Sequence, residues 1–261
     1  MTVVTKHRLG EPCWVDYAAS DVPAATEFYS SLFGWKAESA GEEYGGYVSF
    51  TKDGRLVAGL GPVMGEGGPA NLWSTYLLVE DAAATEASAQ EAGATVLAPT
   101  MQVGDRGRLA VLADPGGAAV GLWEPEEHRG FELVDEPGGL GWHELYARDY
   151  QAQVEFYTRV FGWKMRVLGD TADFRYSTFG DEAAPAGGVF DADGMLPEGV
   201  PSHWVVYFTV ADTATASARV VELGGTVLRD PWDSEFGRFA QVTDPFGGLF
   251  FLHEAGSGSA A

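Results

Sequence analysis

At 261 residues, 46% hydrophobic and 13% aromatic, the chain is long and apolar enough to bury one large core or two of ordinary size, which excludes wholesale disorder. Its formal net charge of −22 repels phosphate backbones and anionic headgroups, so neither nucleic acid nor membrane is expected as a partner. Cys13 is the single cysteine, which rules out an intramolecular disulfide; with no bilayer-length apolar run and no apolar signal core, a cytoplasmic protein is expected.

Taken in chain order, the first strand-like run contains WVDYAA and ends at Asp21, and a helical pattern follows to Gly34. Asp can cap a helix N-terminus by accepting from its free N–H groups, and Gly closes the other end in the left-handed conformation. Short strand-like runs, YVSF and VAGLG, come next. The order then recurs: a strand to Asp81, a helix to Gly93, and the runs TVLAP and RLAVLADP. A polar stretch with Pro137 and paired glycines, HRGFELVDEPGGLG from His128, interrupts the pattern. Beyond it two more Asp-to-Gly helices are predicted, Asp149 to Gly162 and Asp212 to Gly224.

The second half repeats the first. EFYSSLFGWK at Glu27–Lys36 returns as EFYTRVFGWK at Glu155–Lys164, a displacement of 128 that also aligns Trp14 with Trp142 and Asp16 with Glu144. Displacements of 131 and 130 align Tyr76 with Tyr207, Asp114-Pro115 with Asp244-Pro245, and Glu124 with Glu254. The repeat predicts two homologous modules, residues 1–127 and 139–255, joined by a linker at 128–138 and followed by a flexible tail at 256–261. The decamer itself, with Phe28, Leu32 and Phe33 on one helical face, reads as a packing element.

Four strand–helix–three-strand units paired into two modules, carried by ASDVPAATEFYSSLFGW, ARDYQAQVEFYTRVFGW, VLADPGGAAVGLWEP and QVTDPFGGLFFLHE, resemble the vicinal oxygen chelate superfamily. That group includes glyoxalase I, bleomycin-resistance proteins and extradiol dioxygenases. The tandem layout is similar to an actinobacterial subgroup that includes a mycobacterial culture-filtrate antigen. The resemblance implies an α+β fold in which each module forms a cupped mixed sheet with helices on its convex face. It also implies that metal-dependent relatives hold a divalent ion at three strand positions in the cup. Those positions fall here on Trp14, Ser74 and Gly121, and on Trp142, Val205 and Phe251. None is an imidazole or a carboxylate, so no metal and no other cofactor is expected. A substitute trio, His143, His203 and Glu254, has the composition of an iron site, but strand alternation turns His143 and Glu254 away from the cup unless a β-bulge shifts the register.

The same alternation predicts the cup linings. The first offers Trp14, Asp16, Ser74, Tyr76 and Trp123; the second offers Trp142, Glu144, Val205, Tyr207, Phe251 and His253. Aromatic walls with few polar groups suit a flat apolar ligand, or else mark a cup plugged by its own side chains. Asp16 and Glu144 are expensive to desolvate and need donors from a tyrosine, from backbone N–H groups or from Arg108 and Arg238. Glu144 with His253 forms a candidate proton-transfer pair, which points to the second cup as the working one. The expected function is metal-independent binding of a small aromatic metabolite, for sequestration, resistance or as an accessory to an enzyme. The alternative is a lyase, isomerase or dioxygenase, metal-dependent or using Glu144 and His253. A monomer with internal pseudo-twofold symmetry is expected.

Overall fold

A computed structural model describes residues 7–41, 44–63, 65 and 68–254; the expected tail at 256–261 lies outside them. The first half runs β1 (Pro12–Ala19), α1 (Val22–Phe33), β2 (Lys36–Ser39), β3 (Val48–Lys52), β4 (Arg55–Pro62), β5 (Leu72–Leu78), α2 (Ala82–Glu91), β6 (Thr95–Val103), β7 (Gly107–Ala113) and β8 (Ala119–Pro125). The second runs β9 (Leu140–Ala147), α3 (Tyr150–Phe161), β10 (Met165–Asp170), β11 (Arg175–Gly180), β12 (Pro185–Asp191), β13 (His203–Val210), α4 (Thr213–Glu222), β14 (Thr226–Ser234), β15 (Gly237–Thr243) and β16 (Leu249–Glu254). The architecture is α+β. Each half forms an eight-stranded mixed sheet, ordered β2-β3-β4-β1-β5-β8-β7-β6 and β10-β11-β12-β9-β13-β16-β15-β14. In both, the opening strand is parallel to the fourth and antiparallel to the fifth, which puts the two repeat units edge to edge at the centre.

Local chemistry sets the helix ends. Asp21, Asp81, Asp149 and Asp212 each accept from the backbone N–H three residues on, at 2.6–3.0 Å. Gly34 and Gly162 close α1 and α3 with φ of 67° and 70°. In α2 and α4 the caps are Ala92 and Leu223, and the left-handed residue is the glycine after them.

The repeated decamer fastens the halves together. Tyr29 of α1 donates to the Asp244 carboxylate at 2.8 Å, and Tyr17 of β1 donates to the same oxygen. The other Asp244 oxygen accepts from the N–H groups of Phe246 and Gly248, so the aspartate of the DP turn is saturated although buried. The arrangement is mirrored: Tyr157 and Gln153 of α3 donate to Asp114 at 3.0 and 2.7 Å, and Gly116 and Ala118 N–H groups complete it. The tryptophans of the two FGW turns also reach beyond their own units, Trp35 to the Gly138 carbonyl and Trp163 to that of Gly10, each at 2.6 Å. Phe33 packs 5.0 Å from Phe208 of the second sheet, inside a core that spans both halves. The mirror core places Tyr157 and Trp163 among Leu112, Leu122 and Trp204. The decamer is the tongue of a reciprocal joint, and the DP turn is its groove.

Candidate functional site

Strand alternation sends Val15 and Tyr17 of β1 into the shared core and leaves Trp14, Asp16 and Ala18 on the hollow of the first sheet. There a cavity of about 610 Å³ opens. Of the side chains expected there, Trp14, Asp16, Ser74, Tyr76 and Trp123 all line it. The sequence reading missed Tyr47, which precedes β3, and His128, which it placed in the linker.

Asp16 is the chemical focus. Its Oδ1 accepts from the Trp14 indole at 2.8 Å and from the Tyr47 hydroxyl, and Tyr76 donates to the carboxylate as well. Trp14 is shared between Asp16 and the Tyr47 oxygen, 2.9 Å away. The cluster is tight because β4 passes beneath it as Gly59, where a Cβ would collide with the Tyr47 hydroxyl and with Asp16. Burial pushes the Asp16 carboxyl up to about 6, against the pull of its three donors. Burial also raises the Tyr47 and Tyr76 hydroxyls, so both remain protonated donors. His128 stands edge-on to Trp14, with ring centres 4.2 Å apart, and accepts from Trp123 through its carbonyl at 2.8 Å. Burial, with Arg106 nearby, takes its imidazole down to about 4, so it is neutral at physiological pH.

The second hollow repeats the framework and fills the space. Glu144 accepts from Tyr207 at 2.6 Å and from Tyr176, which in turn accepts from Trp142 at 3.0 Å. Tyr176 bears the relation to Gly188 that Tyr47 bears to Gly59. Ala18 pairs with Gly61 in the first sheet, where Tyr146 pairs with Phe190 in the second. Tyr76 faces Gly121, where Tyr207 faces Phe251. Tyr207 and Phe251 stack at 4.6 Å, Tyr146 and Phe190 meet at 5.5 Å, and Trp232 joins Phe239 under the Arg229 guanidinium. Rings occupy in the second cup the room that small residues leave open in the first.

Three expectations are corrected by this geometry. The expected proton-transfer pair does not form: Glu144 pairs with Val205 on β13, while His253 pairs with Thr209, four residues further along. At 3.3 Å per residue that is about 13 Å. His253 instead stacks on Phe239 at 4.9 Å. The described cavity lies in the first cup, whereas the Glu144–His253 pair pointed to the second. Arg108 and Arg238 serve neither carboxylate; they pair with Glu124 at 3.2 Å and Asp233 at 3.3 Å.

The chelating set of the resemblance also fails to fit. Trp14, Ser74 and Gly121 give a cation one hydroxyl, and Trp142, Val205 and Phe251 give it nothing. Among the described residues no three His, Cys, Asp or Glu side chains gather. The substitute trio is dispersed. His143 stacks 5.7 Å from Phe131, His203 lies 5.6 Å from Tyr146, and Glu254 accepts from Thr213 at the start of α4. The register shift on β9–β13 falls beyond Trp142, so it does not turn His143 inward.

Comparison with known proteins agrees with the fold. "Putative glyoxylase CFP32" of Mycobacterium tuberculosis is 37% identical over 252 residues, covering 94% of this chain and 95% of that protein. "Anthracycline biosynthesis protein DnrV" of Streptomyces peucetius is 34% identical over 274 residues, covering 99% and 98%. Among solved structures, the Mn(II)-bound glyoxalase from Novosphingobium aromaticivorans superimposes with a TM-score of 0.65 at 19% identity, covering 95% of this chain and 83% of that one. No helix among the described residues is long and apolar enough to cross a membrane. The model of the Glyoxalase/Bleomycin resistance protein/Dioxygenase superfamily matches residues 13–122 and 139–251, and the chain belongs to that superfamily.

Proposed function

We propose that the protein binds one small, flat aromatic molecule in its first cup, without a chelated metal ion. The observation that carries this reading is the contrast between the cups: one framework of indole, carboxylate and two tyrosines, open in the first and packed with rings in the second. A cavity of about 610 Å³ falls within the span of small-molecule sites, which run from roughly 300 to 1,000 Å³. Leu72, Leu109, Val111 and Trp123 give it apolar walls for stacking, and Asp16 and Ser74 give it a polar floor. The similarity to a protein named for anthracycline biosynthesis supports an aromatic ligand. Binding itself serves sequestration, resistance or delivery to a partner enzyme.

Trp14 and Trp123 in the walls make the test direct. Titration of the purified protein with polycyclic arenes and quinones should quench tryptophan fluorescence and raise the melting temperature. Dialysis against EDTA should change neither the melting temperature nor the binding curve. A stoichiometric transition metal in the protein, with binding lost on chelation, would refute the metal-free reading.

A further inference from the structure

The ligand class can be narrowed, on the reading that the first cup is a ligand site. Its lining is mostly apolar; besides Tyr44, Ser49, Arg106 and His128, the polar groups form a strip where Asp16 on β1 stands in register with Ser74 on β5. An ionised carboxylate offers about four acceptor positions. Trp14, Tyr47 and Tyr76 use three, which leaves one on a group that borders the cavity and is only half-buried. In the second cup the matching pair is Glu144 and Val205; the hydroxyl is gone, and the carboxylate is buried beside the Tyr207–Phe251 stack. The polar strip persists where there is room for a ligand to meet it.

Among the described residues, no cation pairs with Asp16. The residue before β3 and strand β5 present the protonated hydroxyls of Tyr47 and Tyr76, and β4 presents Gly59 and Gly61. The connector presents the neutral imidazole of His128. Arg106, before β7, pairs with Asp105 at 3.5 Å and lies over the Tyr44 ring. Where Asp16 is ionised, an O–H donor on the ligand is the partner its remaining lone pair lacks.

We infer that the first cup selects hydroxylated arenes, with a phenolic O–H donating to the free acceptor position of Asp16 while the ring stacks between the apolar walls. Asp16 is then the specificity-determining residue, and protonating it weakens the selection.

The test uses 2-naphthol and 2-methoxynaphthalene, which differ in one donor proton, titrated by tryptophan fluorescence into the full chain. At about pH 7.5 the naphthol should bind at least about tenfold tighter, the worth of one hydrogen bond to a charged acceptor. At about pH 5 the ratio should fall below about threefold, and Asp16→Asn should show the low ratio at both pH values. If the variant does not fold, the wild-type pair at two pH values still decides. Equal affinities at the higher pH overturn the selection but leave the cup as the binding site. A preference that persists unchanged at the lower pH overturns the role of Asp16. If neither probe binds, or binding survives Ala18→Tyr, both this inference and the reading beneath it fall.

Discussion

Trp14, Asp16, Tyr47 and Tyr76 in one cup correspond to Trp142, Glu144, Tyr176 and Tyr207 in the other, and both sets are joined by hydrogen bonds. Around the first set the neighbours are Ala18, Gly61 and Gly121; around the second they are Tyr146, Phe190 and Phe251. A carboxylate held by tyrosines is therefore common to both cups and does not by itself set one apart from the other. What separates the two is access: Glu144 is 9% exposed, whereas Asp16 keeps part of its surface on a cavity. The framework is the means of holding a buried acid in each sheet, and the residues around it set how much space lies beside that acid.

The largest effect should come from emptying the filled cup. Phe251→Ala removes a ring that is 3% exposed and stacked on Tyr207, so denaturant melts should show a loss of about 3–5 kcal/mol. If the loss is under about 1 kcal/mol, the cup is collapsible and the contrast is weaker than drawn. Next comes the reverse operation. Ala18→Tyr with Gly61→Phe copies the Tyr146–Phe190 pair into the first cup. Affinity for aromatic probes should fall by more than about a hundredfold, about 2.7 kcal/mol, with the melting temperature maintained. Undiminished binding in that variant would move the site elsewhere.

Acid should act on the two halves with opposite sign. His143, buried on the core side of β9 with no hydrogen-bond partner for either ring nitrogen, is taken down by burial to about 3. Its folded pKa lies below its unfolded one, so the protonated form is excluded from the fold. Stability present above about pH 6.5 is lost as pH falls below it, by about 2 kcal/mol at pH 5. Asp16 is raised to about 6, so its contribution runs the other way, highest below its unfolded value and declining as pH rises through 6. His143→Phe should flatten the acid limb of a stability–pH curve, and Asp16→Asn should steepen it. The smallest effect is expected from Glu144→Gln. With the Tyr207–Phe251 stack packed beside the carboxylate, probe affinity should change less than about twofold. A tenfold change would show the second cup to be accessible.

Much of this was legible from the chain because the signals are local. Asp caps, closing glycines and period-two alternation placed four units, and they set Trp14 and Asp16 on the hollow side of β1. Tyr47 was recoverable in principle as the repeat partner of Tyr176, but it sits where the halves differ in length, so a fixed displacement passes it by. His128 has no such partner, and a polar connector gives no hint that it folds back beside Trp14. Which cup is open was not legible residue by residue. The answer depends on side-chain volumes summed across several strands, and Trp14 and Trp142 look alike until Gly61 and Phe190 are placed beside them.

The tyrosine–aspartate joint has a bearing on why a bowl filled by its own rings should be there at all. Asp244, on the DP turn of the filled half, is the anchorage for the helix beneath the open one, and Asp114 returns the service. Splitting the chain between the sheets would take the tyrosine donors from both carboxylates and bare the apolar side chains packed around them to water, and neither fragment should stay folded. The occupied half does its work with its back.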